Sequence, residues 1–317
     1  MSLLSPDTGL LSVVGASALL FAAYKTLDFV WLYLQPSRLY KYLRATSGNP
    51  AWAIVTGASD GIGKAIAFEL ASQGFNVVLH GRNPTKLDGV KAALSKAHPA
   101  RSFRIWFADA TKCHSDSAWL EKAVRSFDDI NLTVLVNNVG GGSNPAFGGL
   151  DQFPPQEILD NLHLNVTFPT LLTSALIPLL VKNSPSLIIN IGSIADHGLP
   201  LVSVYGASKA FGDILSQAVW REMMLEGREI EVIVHRLGPV TETQGNSSRA
   251  SLGTPSARTI AKAVLARTGC GKKSVVSYWC HGVQDAALGF IPVSIFDYVV
   301  TGVMKRMRAE QETAKTK

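Results

Sequence analysis

The chain holds 317 residues, 47% apolar and 17% charged, with a net charge of +6. This composition excludes a disordered polypeptide, is slightly apolar for an ordinary soluble protein, and has the length for one large α/β core. Lys and Arg are scattered rather than gathered in a stripe with aromatics. That argues against nucleic acid, and the basic excess instead suits a phosphorylated cofactor or an anionic membrane surface.

Leu10 to Leu34 is the most apolar stretch, interrupted by Lys25 and Asp28. As a helix it would extend roughly 37 Å, enough for a bilayer core of ~30 Å. Lys25 and Asp28, three apart, share a face and can pair, and Lys25 can snorkel. Arg38, Lys41 and Arg44 follow the run, while the N-terminal flank carries only Asp7. Because basic flanks stay cytoplasmic, residues 1–49 are expected to be a membrane anchor or membrane-associated segment, with the rest facing the cytosol. A helix lying on the membrane, or packed on a soluble domain, is the competing reading. A cleaved signal peptide lacks its basic n-region.

Beyond the turn-rich Ser47-Gly-Asn-Pro50, short β-branched runs alternate with helical patterns. Strands are expected at 51–56, 76–80, 101–108, 132–137, 186–191, 230–235 and 274–278. In the third, Phe103, Ile105 and Phe107 alternate. Helices are expected at about 62–73, 156–182, from about Val204, and 256–268. Such alternation predicts an α/β fold, a doubly wound parallel sheet of the Rossmann kind in one domain over residues 50–280, preceded by the N-terminal hydrophobic helix. The remainder, 281–317, is an apolar helix and a basic tail. The apolar stretch from Ala286 to Val303 reads equally as a membrane contact, a lid over a greasy pocket or a dimer contact, and the tail from Ala309 as disordered. Lys315, preceded by Ala314, is a poor match to a dilysine retrieval signal. Cys113, Cys270 and Cys280 show no metal spacing and read as ordinary thiols in a reduced compartment; no metal is expected. Asn131, Asn165 and Asn246 open glycosylation triplets of the kind chance supplies.

The chemistry-bearing residues fall where the predicted strands end. Gly57, Gly61 and Gly63 lie at the turn from the first strand into its helix, where a bare backbone can approach a pyrophosphate and the helix N-terminus offers N–H groups to it. The second strand ends Leu79-His-Gly-Arg-Asn83, with no acid to hold a ribose 2′-hydroxyl. Arg82 can instead fork onto a 2′-phosphate, with Ser59 adding a hydroxyl, so the cofactor read is NADP(H). Asp109, after the third strand, can accept from an adenine amino group, and Asn137, in Asn137-Asn-Val-Gly140, can shape the nicotinamide-ribose side. Tyr205 and Lys209, four apart on a helix, share a face, and the ammonium is expected to favour the phenolate so that Tyr205 can exchange a proton with a ketone or alcohol. Ser193 can hold the substrate oxygen. Asn165, mid-helix where asparagine is unfavourable, can hold a water that relays protons to Lys209.

Thr56-Gly-Ala-Ser-Asp-Gly-Ile-Gly63, Asn137-Asn-Val-Gly140, Asn165, Ser193 and Tyr205-Gly-Ala-Ser-Lys209 together resemble the short-chain dehydrogenase/reductase family over about Ala51 to Tyr278. The branch resembled contains the endoplasmic-reticulum 17β-hydroxysteroid dehydrogenases and very-long-chain 3-oxoacyl-CoA reductases. The resemblance implies a tetrad of Asn165, Ser193, Tyr205 and Lys209, adds Ile62, Val240, Tyr205 and Lys209 to the cofactor contacts, and implies a homodimer through the helices carrying Asn165 and Tyr205. It implies an NADPH-dependent reductase of a ketone on an apolar substrate, a 3-oxoacyl-CoA or a sterol-like lipophilic ketone, in the endoplasmic reticulum membrane. A small-ketone or secondary-metabolite reductase, or a non-catalytic NADP-binding scaffold, is the alternative. The chain departs from the family at Leu237-Gly-Pro-Val-Thr241 and in the short Ser/Gly-rich segment Glu242–Thr254, where the family closes over substrate.

Overall fold

The computed structural model describes residues 6–44, 48–112, 117–143, 146–243 and 245–315. Ser47, Cys113 and the last two residues of the tail lie outside them. Helix α1 (Pro6–Leu34) leads through a short 3-10 turn into a seven-stranded, all-parallel sheet. Its strands are β1 (Ala51–Val55), β2 (Asn76–Gly81), β3 (Phe103–Phe107), β4 (Asn131–Asn137), β5 (Ser186–Ser193), β6 (Ile230–Leu237) and β7 (Ser274–Val276), in the order β3-β2-β1-β4-β5-β6-β7. β1, β2 and β4 are buried at every position, which is why β1 reads as an unbroken apolar run and β2 and β4 as largely apolar ones.

Helices cover both faces of the sheet. On one face, α2 (Gly61–Ser72), α3 (Pro84–Ala97) and α8 (Ala257–Ala266) bury Ile66, Leu70, Leu87, Leu94 and Ile260 against the odd-numbered side chains of β1. On the other, α4 (Ser117–Arg125), α5 (Pro155–Leu162), α6 (Phe168–Lys182) and α7 (Ser203–Leu225) enclose a second cluster with Trp106, Phe127, Leu172, Leu176 and Val219. This is the doubly wound fold the alternation predicts. After β7 come α9 (Trp279–Leu288) and α10 (Val293–Lys315).

The first half of α1 stands clear of the domain, and Gly9–Leu34 is long and apolar enough to cross a membrane. Its last turns are gripped. Tyr33 donates to the Val276 carbonyl (2.8 Å), the Arg267 guanidinium donates to the Leu32 carbonyl (2.5 Å), and Ser37 donates to the Leu265 carbonyl (2.6 Å). α1 has no basic residue in its last turn, so Arg267 supplies from the domain the cation that a helix C-terminus favours. Asp28 pairs with Lys272 at 2.5 Å, not with Lys25 as expected from their spacing; Lys25 lies over the Phe21 ring. Lys272 on the domain is the nearer cation because this end of α1 is packed rather than free.

Other expectations are corrected. The single helix over 156–182 is α5, a π turn (His163–Thr167) and α6. The alternation of β3 runs the other way at its end: Trp106 is buried and Phe107 exposed, because this edge strand is covered mainly on one face. The tail from Ala309 continues α10 through Lys315, where good helix formers follow Arg308 and Gln311 accepts from the Phe147 N–H (3.1 Å).

Candidate active site

In an open α/β sheet the crevice for ligands lies beyond the carboxyl ends of the strands, where the strand order reverses, here between β1 and β4. Those two strand ends are latched together. The Thr56 hydroxyl donates to the Val136 carbonyl (3.1 Å) and accepts from the backbone N–H of Asn138 (2.8 Å) and Val139 (3.0 Å). The Asn138 side chain returns a bond to the Thr56 carbonyl (2.8 Å). The turn between them needs glycine twice for different reasons. Gly57 sits at φ +66°, and a Cβ at Gly63 would lie 2.3 Å from the Gly57 carbonyl oxygen and 2.4 Å from Asn138 Nδ2. α2 therefore starts hard against the turn, its Gly61 N–H capped by Asp60 (2.8 Å) and its helix N-terminus set beside the glycine turn.

His80, unremarked in the sequence, supports this turn from β2: its Nδ1 accepts from the Gly57 N–H (3.4 Å). Stacked on Phe168 and buried, its pKa is pushed down to about 3, so the ring stays neutral and Nδ1 keeps its lone pair for the acceptor role. Ser59 Oγ lies beside Gly81, and the next residue, Arg82, is exposed, so the end of β2 brings the serine close to the start of the arginine. Asp109 follows β3 and turns one carboxylate oxygen back onto the N–H (3.1 Å) and hydroxyl (2.9 Å) of Thr111. Gly61 and half-buried Ile62 open α2; the Val240 side chain is buried in the core, and its carbonyl accepts from the Asn246 amide (3.2 Å).

Asn137 is placed differently from the sequence expectation. Its side chain points into the α6–α7 face, where its amide donates to Thr173 (2.9 Å) and Asn190 (2.8 Å). Successive strand residues face opposite ways, and it is Asn138 that reaches the glycine turn.

Four side chains converge from β5, α7 and the turn between α5 and α6. Ser193 ends β5. Tyr205 and Lys209 stand one turn apart on α7, with Lys209 Nζ 5.6 Å from the Tyr205 ring centroid. Asn165 lies in the π turn, and such turns recur at functional sites because the extra residue re-aims a side chain. Its amide donates to Gly141 O (2.9 Å), Asn161 O (3.0 Å) and Asn161 Oδ1 (3.0 Å), and its Oδ1 accepts from the Gly141 N–H (3.1 Å). Gly140 separates Asn165 from Lys209: a Cβ there would lie 2.7 Å from Asn165 Oδ1 and 3.0 Å from Lys209 Nζ.

Electrostatics in this pocket follow burial. Lys209 donates to the Ile191 carbonyl (2.9 Å), and desolvation lowers its pKa to about 8. The Tyr205 phenol is raised, chiefly by burial and further by the Asp196 carboxylate, against a hydrogen bond with Ser193 that lowers it. The expected bias toward phenolate is thus reversed in the protein alone, because desolvation of the buried phenol outweighs what favours the charged form. Asp196 is itself held by both arms of the Arg236 guanidinium (2.6 and 2.7 Å).

A phenol, a hydroxyl and an ammonium at the mouth of a dinucleotide-type crevice define an oxidoreductase working on a CH–OH/C=O pair. Residues 51–251 match the short chain dehydrogenase family, and the chain belongs to that family. It is 32% identical over 301 residues to a very-long-chain 3-oxoacyl-CoA reductase of Coprinopsis cinerea, a match covering 90% of this chain and 85% of that protein. A very-long-chain 3-oxooacyl-coA reductase of Caenorhabditis briggsae is 30% identical, with 94% of each chain covered. Among solved structures, a short-chain dehydrogenase from Sphingobium yanoikuyae in complex with NADPH superposes with a TM-score of 0.62 at 27% identity, covering 76% of this chain and 96% of that one.

Proposed function

We propose that the protein is a membrane-anchored, NADPH-dependent reductase that converts a ketone on an apolar substrate, a 3-oxoacyl-CoA or a sterol-like lipophilic ketone, to a secondary alcohol. The observation that carries this reading is the meeting of Ser193, Tyr205, Lys209 and Asn165 at the strand ends beside the glycine turn. The crevice fits a dinucleotide: Gly63 leaves room that a Cβ would fill, the start of α2 presents N–H groups, and Arg82 with Ser59 offers a donor corner for a 2′-phosphate. The bound cofactor would supply the hydride. The chain supplies the rest. Ser193 holds the ketone oxygen and shares the charge that develops on it. Tyr205, its phenol kept protonated by burial, gives its proton to that oxygen, leaving a neutral alcohol. Lys209 and Asn165 hold the polar lining behind the phenol.

The substrate class follows from the relatives' names, and the apolar α1 with its basic C-terminal flank supports an endoplasmic-reticulum membrane location with the catalytic domain in the cytosol. Exposed Phe211 and Ile214 on α7 support a homodimer through α6 and α7. The test is NADPH oxidation by the full chain in detergent micelles against long-chain 3-oxoacyl-CoA, sterol ketones and small ketones, beside Tyr205→Phe. Wild type is expected to turn over a long-chain or sterol ketone, and Tyr205→Phe to bind NADPH without turnover. Turnover of small ketones alone would move the assignment to a small-ketone reductase; undiminished activity in Tyr205→Phe would end the proposed chemistry.

A further inference from the structure

Helices α9 and α10 carry an exposed apolar surface that the reductase chemistry does not use. On α9, Trp279 and Val283 face outward; the turn that follows exposes Phe290 at 89%, and α10 exposes Val293, Ile295 and Tyr298, the last at 83%. These helices are not idle appendages. Along α10 the inward positions are Phe296, packed edge-on to His197 (6.3 Å) four residues after Ser193, Met304, which is buried, and Gln311, bonded to Phe147 in the loop after β4. α10 therefore crosses the crevice mouth from the β5 side to the β4 side. α9 is tied to the same mouth by His281, whose Nδ1 accepts from the Gly238 N–H (3.1 Å) beyond β6 and whose Nε2 meets the Gly253 carbonyl (3.2 Å). The helix pair is apolar on its outer surface and built into the substrate side on its inner one.

What covers the outer surface is indicated by α1. Gly282 of α9 lies directly under Tyr33 and Phe29 of α1, so closely that a Cβ would fall 1.9 Å from the Tyr33 hydroxyl oxygen. With Arg267, Lys272 and Val276 holding the same turns, α1 is a fixed mount rather than a tether. Wherever α1 enters the bilayer, α9 sits at its point of entry. Exposed Trp279, three residues before Gly282 on α9, and exposed Tyr298, Lys305 and Arg306 along α10 are the residue types that suit the headgroup region of an anionic leaflet. We propose that α9 and α10 lie on the lipid bilayer as a lid whose outer surface is embedded at the headgroup boundary, so that a lipophilic ketone reaches Tyr205 from the membrane under α10.

The inference rests on the reading of α1 as a membrane helix, and its test separates the two. Full-length protein with its three cysteines changed to serine is reconstituted in vesicles containing phosphatidylserine. Spin labels are placed singly by Val283→Cys, Tyr298→Cys, Leu20→Cys on α1 and Leu225→Cys on the far end of α7, and their access to oxygen and to a water-soluble nickel chelate is measured. Labels at 20, 283 and 298 are expected in lipid and the label at 225 in water. Lipid at 20 with water at 283 and 298 overturns the lid and leaves the anchor standing. Water at 20 overturns the anchor and the lid with it. Spin–spin broadening at 298 places a second copy there and overturns the lid. Function gives a second reading. The double variant Val283→Glu, Tyr298→Glu is expected to raise KM for a bilayer-partitioned ketone about tenfold while leaving KM for a water-soluble ketone unchanged. Equal effects on both substrates overturn the access route.

Discussion

Gly140→Ala tests how tightly the catalytic groups are set. The added methyl would sit 2.7 Å from Asn165 Oδ1 and 3.0 Å from Lys209 Nζ, where ordinary contacts are ~3.5–4 Å. Asn165 cannot yield cheaply, because four bonds fix its amide to Gly141 and Asn161. Lys209 is the freer group, held in this pocket by its bond to the Ile191 carbonyl. The methyl should therefore displace the ammonium. Losing that charge-assisted bond costs about 1.5–3 kcal/mol, and overpacking costs about 1–3 kcal/mol of stability. In rate terms the first figure corresponds to a loss of kcat of about 10- to 100-fold. The assay is steady-state NADPH oxidation with kcat and KM resolved, beside thermal unfolding. Gly142→Ala is the control, since nothing lies within 4 Å of a Cβ there, and it should leave kcat unchanged. If Gly140→Ala keeps both the kcat and the unfolding temperature of the wild type, the crowding argument and the Lys209 placement on which it depends are wrong.

Arg82→Ala should raise KM for NADPH about 10- to 100-fold, the worth of a charge-assisted fork, and leave KM for NADH unmoved; equal effects on both cofactors would remove Arg82 from the 2′-phosphate corner. Lys209 holds its proton below about pH 8 and loses it above, so kcat/KM for NADPH should fall on the alkaline side with an apparent pKa of about 8. A profile flat to pH 10 contradicts that assignment. Gly282→Ala forces Tyr33 off the Val276 carbonyl and should cost about 1–3 kcal/mol. Its unfolding temperature should drop by roughly 2–4 °C per kcal/mol with NADPH affinity kept, and an unchanged temperature would show that α1 is not seated on α9.

The sheet and the crevice were legible because local chemistry and global position agree there: β1 and the middle of β4 are dominated by apolar residues, the glycine turn and Ser193 fall at strand ends, and Tyr205 opens the helix that follows β5. What the sequence hid depends on distance or on parity. Asp28 and Lys272 are 244 residues apart, and no pattern within α1 announces that its last turns belong to the domain. The π turn at Asn165 has no residue signature of its own; the unfavourable mid-helix asparagine was its trace. Asn137 and Asn138 are neighbours that a strand turns opposite ways, and counting parity from the buried run of β4 would have assigned the latch to the second. His281 reads as one more histidine in an apolar stretch, since its partners Gly238 and Gly253 offer only backbone atoms.

Burial acts on Tyr205 and Lys209 in opposite directions, and in the proposed reaction this would divide their roles. Desolvation disfavours charge, so it makes the phenol hold its proton and the ammonium release its own more readily. A phenol that keeps its proton is ready to donate when an oxygen beside it gains charge, which is the reductive direction; accepting a proton requires the phenolate that this pocket opposes. The Asp196 carboxylate pushes the same way, and the Arg236 fork limits that push by neutralising it in place. Arg236 also bonds Asp285 of α9 at 3.0 Å, so the charge next to the phenol is balanced by a residue whose own position depends on the helices over the crevice mouth. Movement of α9 would take Asp285 from Arg236 and admit water beside the phenol, and both changes would lower the proton affinity of Tyr205.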